Sequence, residues 1–192
     1  MYHKPPGEIC TRHDPEGRPS VFDRLPKIRQ GRWVSVGRLD LNTAGLLLFT
    51  NDGALAHRLM HPSAEIPREY WVRVAGDVSE STLEALRHGI ELDDGFARFD
   101  DIMPLQALHE DDSQYNRYFS VTLKEGRNRE VRRLWEAVGC QVSRLKRIRF
   151  GNVTLPKELA QGRYRLLTPG ETNALLEPIR PKKGPARTPG PR

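Results

Sequence analysis

The feature that most constrains this chain is segment 36–52, VGRLDLNTAGLLLFTND, in which a charged loop leads into a short apolar run. The run, residues 46–49, carries no charge and is bounded by glycine and by Asn-Asp-Gly, as a buried strand is, although a buried helical turn has the same pattern. A second apolar segment, 33–36, precedes it, so Arg38 and Asp40 are predicted to lie in a loop between two buried strands. Rigid elements on both sides can hold a reacting group in place. The alternative is a plain turn, because Asp, Asn and Gly favour turns.

The composition is that of a globular protein of 192 residues, in which 37% hydrophobic residues suffice to build a core. No stretch approaches the roughly 18 apolar residues of a membrane span, and the first ten residues lack the apolar segment of a signal peptide. The two cysteines, Cys10 and Cys140, have no CxxC partner. This spacing argues against a zinc ribbon or a disulfide scaffold and favours a cytoplasmic location.

The net charge of +6 is unevenly distributed. Segment 124–149 holds nine basic and three acidic residues, and segment 180–192 holds five basic residues and no acid. A basic surface on an otherwise acidic chain predicts a polyanionic partner, with a solvated basic face as the alternative. Residues 179–192 contain too few apolar side chains to offset the entropy of ordering, so we expect a disordered basic tail after a single domain, 1–178.

Local patterns predict the α+β class, with strands ahead of and between a few short helices. Alternating apolar and polar residues indicate strands, and apolar residues spaced three and four apart indicate helices. The predicted strands are 8–11, 33–36, 46–49, 68–74, 115–123, 140–150 and 163–167, with a hairpin over 90–108. The predicted helices are 52–61, 79–88, 129–138 and 169–176.

A pair of histidines is the one candidate for metal ligation. His57 and His61 lie four residues apart on a predicted helix, a spacing that metal ligands use. No Glu follows His57 as in zinc proteases, and no third ligand is evident in the sequence. We therefore expect ordinary surface or half-buried histidines and no metal.

Three segments together carry a family resemblance: 37–53, GRLDLNTAGLLLFTNDG; 68–74, REYWVRV; and 123–151, LKEGRNREVRRLWEAVGCQVSRLKRIRFG. With them, the chain resembles the pseudouridine synthases of the RsuA/RluB group over residues 4–177, and within that group the type that acts on the large ribosomal subunit. The resemblance implies a pseudouridine synthase fold, with a mixed, mostly antiparallel sheet, flanking helices and a cleft across the sheet. Members usually begin with an S4-type RNA-binding domain, which nothing here resembles, so we expect the catalytic domain alone.

The resemblance also implies an enzyme that isomerises one uridine of large-subunit (23S) ribosomal RNA to pseudouridine, with no metal and no cofactor. Asp40 matches the family's catalytic aspartate, which acts near the anomeric carbon. It either attacks that carbon as a nucleophile or stabilises and deprotonates a sugar intermediate. Arg132 matches the basic residue that pairs with this aspartate and keeps it ionised in a buried site. Without the resemblance, Arg132 is interpreted as a solvated helix residue.

The remaining site residues come from the same resemblance. Tyr70 matches the tyrosine that stacks on the extruded base, although alternation alone predicts a core tyrosine. Arg38 matches the basic residue that fills the space left by the base or holds a phosphate, and Leu39 and Leu145 are expected to wall the pocket.

A set of basic residues is predicted to bind the RNA backbone, and each phosphate contact adds to the salt dependence of binding. These residues are Arg127, Arg129, Arg133, Arg144, Lys146, Arg147 and Arg149. The implied partner is a stem-loop of large-subunit ribosomal RNA, bound by a cytoplasmic monomer with no membrane association. The alternative hypothesis is a non-catalytic rRNA-binding or ribosome-assembly factor with the same fold.

Overall fold

The structure is a computed structural model that describes residues 1–106 and 116–177. Strands and helices are interspersed in these residues, which confirms the predicted α+β class. The strands are β1 (Tyr2–Lys4), β2 (Val34–Val36), β3 (Ala44–Thr50), β4 (Arg68–Ala75), β5 (Ile90–Leu92), β6 (Gly95–Ala97), β7 (Asp101–Leu105), β8 (Asn116–Leu123), β9 (Gln141–Phe150) and β10 (Val153–Thr154). The helices are α1 (Gly53–Met60), α2 (Glu80–His88), α3 (Glu130–Ala137) and α4 (Pro169–Leu176). The predicted tail, 179–192, lies outside the described residues.

One mixed sheet forms the centre of the domain. Its strand order is β1-β3-β9-β4-β8-β7, with β2 paired to β3 and β10 paired to β9. The β3–β9 pairing is parallel and the other pairings in this sheet are antiparallel. The mixed, mostly antiparallel sheet that the resemblance implies is therefore confirmed. Strands β5 and β6 form a separate hairpin.

Local sequence accounts for most of these elements. In β4, every second side chain is buried, including Tyr70, Val72 and Val74, so the predicted alternation places one face of the strand toward the core. Helix α2 begins where the Ser79 side chain accepts a hydrogen bond from the first turn, and it ends at Gly89.

Helices α2 and α3 cover one face of the sheet. Leu86 of α2 and Leu134 of α3 are fully buried against the strands. Trp135 of α3 packs its ring against that of Phe119 in β8, with 5.1 Å between centroids. We call this side the helix face and the other side the opposite face. A second core, beside α1 and α4, includes Leu46, Leu48, Ala56, Leu59 and Leu175.

Three local predictions differ from the structure. The predicted strand 163–167 is a single bridge between Tyr164 and Tyr2, and the predicted strand 8–11 is a single bridge at Ile9. The predicted hairpin 90–108 closes within 90–97, and the chain then joins the central sheet as β7. Alternation within one segment does not reveal which residues it pairs with, so it does not predict how far the pairing extends.

Candidate active site

A cleft of about 830 Å³ opens on the helix face, between the N-terminal end of α3 and the loop 37–43 that joins β2 to β3. This volume lies within the roughly 300–1,000 Å³ of pockets that hold small-molecule ligands. The cleft crosses β4 and β9, as the resemblance implies. The predicted site residues that line it are Arg38, Leu39, Asp40, Tyr70, Arg127, Arg129, Leu145 and Arg147.

The loop 37–43, which we call the Asp40 loop, carries the predicted catalytic group. Asp40 is half-buried and Arg38 is exposed beside it at the mouth of the cleft. Leu39 points into the core and is buried. The Leu39 N–H donates to the Cys10 sulfur and the Cys10 thiol donates to the Leu39 carbonyl oxygen, each at 3.4 Å. These contacts fix the backbone on the N-terminal side of Asp40.

A buried lysine fixes the C-terminal side of the Asp40 loop. Lys4 is 0% exposed, and its ammonium donates to the carbonyl oxygens of Pro5 at 3.0 Å, Asp40 at 3.1 Å, Leu41 at 3.3 Å and Thr43 at 2.8 Å. Burial lowers the pKa of Lys4, whereas the charge of Asp40 is among those that raise it. The ammonium therefore places a positive charge directly beneath the loop that carries the carboxylate.

The sequence analysis did not identify Lys4. Its segment, 4–7, reads KPPG, and a lysine next to prolines carries no periodic signal of burial. Its partners in the Asp40 loop lie 36 to 39 residues away along the chain, and the pairing of β1 with β3 brings them together.

Arg132 lies beneath the same loop. It is buried, at 7% exposure, and its Nη1 and Nη2 donate to the carbonyl oxygens of Val142 at 3.1 Å and Asn42 at 3.2 Å. Burial and the charge of Arg129 lower the pKa of Arg132, and the charge of Asp40 raises it. Among the described residues no ion pair joins the Arg132 guanidinium to the Asp40 carboxylate, because both terminal nitrogens are directed to main-chain oxygens. The two charges interact through space, and the ion-pair role stays a prediction.

Three side chains form the floor of the cleft. Tyr70 of β4 is 8% exposed and lies directly opposite Arg147 of β9 in the sheet register. Leu145 lies opposite Val72 on the same face and is buried. The floor therefore presents an aromatic ring, an aliphatic wall and a guanidinium below the Asp40 loop.

The N-terminal end of α3 forms the wall of the cleft. Arg129 adopts the left-handed conformation, with φ 49°, at the position that caps the helix. Glu130 follows it, and its carboxylate accepts a hydrogen bond from the Arg127 N–H at 3.1 Å. Burial raises the pKa of Glu130. A non-glycine residue in this region of φ is uncommon and often occurs at functional sites.

Among the described residues, four of the predicted RNA-binding arginines have an acidic partner: Arg127, Arg129, Arg133 and Arg149. Arg127 contacts Glu125 at 2.6 Å, and Arg133 contacts Asp93 and Asp94, each at 2.8 Å. The Arg133 pairs connect α3 to the hairpin of β5 and β6. The charge of these four arginines is partly neutralised, which reduces what they offer to a phosphate.

Three of the predicted RNA-binding residues lie on the opposite face, away from the cleft. Neighbouring side chains in a strand alternate between faces. In the register of β9 with β4, Lys146 lies opposite Trp71, and Arg149 lies opposite Glu69, to which its Nε donates at 2.7 Å. Arg144 precedes Lys146 by two residues and is exposed. RNA binding by these residues therefore requires a surface separate from the cleft, and it stays a prediction.

The histidines of the pair, His57 and His61, contact each other and a neighbouring hydroxyl. The His57 and His61 rings lie 5.8 Å apart, and His61 shares a 2.7 Å hydrogen bond with the Ser63 hydroxyl. Residues 1–106 and 116–177 contain no cluster of three or more His, Cys, Asp or Glu side chains suited to hold a metal ion. In the same ranges, no helix has the length and apolar character needed to cross a membrane.

Comparison with known proteins places this cleft in a family. The family model described as RNA pseudouridylate synthase matches residues 1–137. The ribosomal large subunit pseudouridine synthase B of Vibrio vulnificus is 56% identical over 184 residues, which are 95% of this chain and 56% of that protein. The protein of the same name from Salmonella typhimurium is 59% identical over 174 residues, 91% of this chain and 58% of that protein. The chain thus spans little more than half the length of these curated relatives.

Solved structures agree with the sequence relatives. A crystal structure of a pseudouridylate synthase superposes with a TM-score of 0.76 at 32% identity, covering 91% of this chain and 71% of that chain. An archaeal box H/ACA complex of Nop10 and Cbf5 superposes with a TM-score of 0.56 at 20% identity, covering 84% and 50%, which is a likeness of fold alone. By its sequence and its fold, the chain belongs to the RNA pseudouridylate synthase family.

Proposed function

We propose that this protein isomerises a specific uridine of large-subunit ribosomal RNA to pseudouridine. The names of its relatives state this class of activity for those proteins. The observation that carries the proposal is that Asp40, Tyr70 and Leu145, which come from three distant segments of the chain, line one cleft.

The reaction breaks the bond between uracil N1 and the sugar C1′ and forms a bond between C5 and C1′. Substrate and product contain the same atoms, so the conversion needs proton transfers but no oxidant or group donor. Asp40 is half-buried at the mouth of the cleft, where a carboxylate can meet C1′. It acts either as the nucleophile at C1′ or by stabilising and deprotonating a sugar intermediate. Both routes begin from the carboxylate, and the buried side chains of Lys4 and Arg132 lie beneath the loop that carries it.

The walls of the cleft fit an extruded base. Tyr70 supplies an aromatic ring at the floor, and stacking on such a ring contributes about 1–3 kcal/mol per base. Leu145 forms an apolar wall beside it. Arg38 is exposed at the mouth, where a guanidinium can occupy the space that the base leaves or hold a flanking phosphate.

The RNA partner in this proposal is a stem-loop, since unpaired loops release a base at lower cost than a duplex does. Arg38 and Arg129 at the edge of the cleft contact its phosphates. In this proposal the protein acts as a monomer. We place it in the cytoplasm, in keeping with Cys10 and Cys140 being free thiols.

The variant Asp40→Asn tests this function. We expect it to bind 23S rRNA transcripts as the unchanged protein does and to form no pseudouridine, as read by chemical mapping of the RNA. Asp52→Asn is the matched control, because Asp52 caps α1 outside the cleft and Asn caps a helix equally well. Pseudouridine formation by Asp40→Asn would refute the assignment of Asp40. RNA binding by the unchanged protein without any pseudouridine would favour a ribosome-assembly factor.

A further inference from the structure

Arg147 is buried, whereas a residue that binds an RNA phosphate is usually exposed. It lies in the middle of β9, opposite Tyr70, and lines the floor of the cleft. Only 3% of its surface is exposed. The sequence groups it with surface arginines, but its burial removes it from the exposed surface.

The guanidinium of Arg147 lacks an acidic partner among the described residues. Its Nε donates to the Leu46 carbonyl oxygen at 2.8 Å, and its central carbon lies 5.6 Å from the centre of the Phe150 ring. Its Nη2 is buried and has no hydrogen-bond partner. A buried charge with an unused donor is costly unless another group satisfies it.

The surroundings of Arg147 hold it rigidly and add positive charge. A Cβ at Gly45 would lie 2.1 Å from the Arg147 carbonyl oxygen, so β3 and β9 are in close contact there. The guanidinium carbon of Arg68, whose pKa is lowered by burial and by the charge of Arg147, lies 5.2 Å from the centre of the Phe150 ring. Two cations thus lie near one aromatic ring at the cleft. Fixed positive charges of this kind can stabilise negative charge that develops on a bound group.

We propose that Arg147 stabilises the uracil anion that forms when the N1–C1′ bond breaks. This inference rests on the proposed function. In that step the electron pair of the bond stays on the base and spreads over N1, C5 and the two carbonyl oxygens, while C1′ is taken up by an Asp40 oxygen or loses a proton from its neighbouring carbon. The Arg147 N–H groups donate to a carbonyl oxygen of the anion, held against Tyr70. The anion then attacks C1′ through C5, and in the same step the Asp40 oxygen leaves C1′ or the neighbouring carbon regains its proton. The proton on C5 then leaves and N1 gains one, so that atoms and charge balance.

The test compares the single-turnover rate at saturating RNA with RNA affinity at two salt concentrations, for Arg147→Met and Arg147→Lys. We expect the Met variant to lose about 10²-fold or more in rate, the cost of removing one stabilising donor in other enzymes, with RNA affinity unchanged. The Lys variant keeps the charge and should retain part of the rate. A retained rate would also show that a substitution at this position does not prevent folding. Arg163→Met, an exposed residue that does not line the cleft, is the control.

A second substrate separates charge stabilisation from a structural role. In RNA with 5-fluorouridine at the target position, fluorine withdraws electrons, so the departing base needs less help as an anion. We expect the deficit of Arg147→Met in N1–C1′ cleavage to shrink at least tenfold with this RNA. An equal deficit on both RNAs, or a lost affinity with a lower salt slope and an unchanged rate, would overturn the inference. A failure of the unchanged protein to form pseudouridine would instead refute the proposed function.

Discussion

Replacement of Lys4 by methionine removes one charge from beneath the Asp40 loop and keeps an unbranched side chain of similar length. In the structure the Lys4 ammonium is enclosed by four carbonyl oxygens, three of them in the segment 40–43. In the variant these oxygens lose a charged donor. We expect the loop to shift, and with it the Asp40 carboxylate.

The size of the effect follows from the contacts. The Asp40 oxygen keeps the Thr43 N–H at 3.0 Å, and the Leu41 oxygen keeps the Gly7 N–H at 2.8 Å. The Thr43 oxygen loses its 2.8 Å bond to Lys4. A buried acceptor that loses its donor costs about 1–3 kcal/mol. The variant also avoids the cost of burying an ammonium, which offsets part of this loss, so we expect a net decrease at the lower end of the range, about 1 kcal/mol, in the free energy of unfolding. A displacement of about 1 Å in the reacting group should lower the rate about 10²-fold.

Urea denaturation measures the change in the free energy of unfolding, and single-turnover kinetics measure the change in rate. Lys146→Met is the stability control, because burial lowers the pKa of Lys146 as well, but among the described residues its ammonium is not enclosed by carbonyl oxygens as that of Lys4 is. Because the pKa of Lys4 in the folded protein lies below 10.5, the unfolded chain binds more protons between those two values. The stability of the unchanged protein relative to Lys4→Met should therefore rise as pH approaches 10.5. If Lys4→Met is as stable and reacts as fast as the unchanged protein, the hydrogen bonds of the Lys4 ammonium do not position Asp40.

Two further predictions concern the cleft wall and the sheet. Glu130→Gln keeps an acceptor for the Arg127 N–H and removes a buried carboxylate; burial raises the pKa of the Glu130 carboxyl group. The variant should therefore be more stable than the unchanged protein at pH 8, and the difference should vanish below pH 4.5. Equal stabilities at both pH values in urea denaturation would contradict this. Gly45→Ala should lower the free energy of unfolding by well over ~1 kcal/mol, because φ is +115° and the Cβ meets the β9 backbone. Gly53→Ala, at the start of α1 with open space around it, should change stability by less than ~1 kcal/mol in either direction. If Gly45→Ala lowers the stability in thermal unfolding only slightly, the close contact between β3 and β9 at this position is refuted.

The resemblance assigned Arg38, Leu39, Asp40, Tyr70 and Leu145 to the pocket, and all five line the cleft. Periodicity alone left several of them ambiguous. Alternation by itself predicted a core tyrosine at Tyr70, and the turn preferences of Asp, Asn and Gly allowed a plain turn at Asp40. For Arg147, both the residues and the resemblance pointed to the RNA backbone, and burial in β9 supports a different role. Its face is set by register shifts in the pairing of β4 with β9, next to Tyr70 and next to Val74. Each shift changes which side chains share a face, and a single sequence does not encode where it falls.

The sequence by itself determined the α+β class, the capped helices, the alternating central strands and a loop bearing Arg38 and Asp40, because these depend on neighbours a few residues apart. The tertiary structure decided which charges meet. It brought Lys4 beneath the Asp40 loop, turned the Arg132 nitrogens to main-chain oxygens, and separated Arg147 from Lys146 across the sheet. These outcomes depend on strand pairing between distant segments, where the cost of burying a charge is balanced by partners that no local pattern reveals.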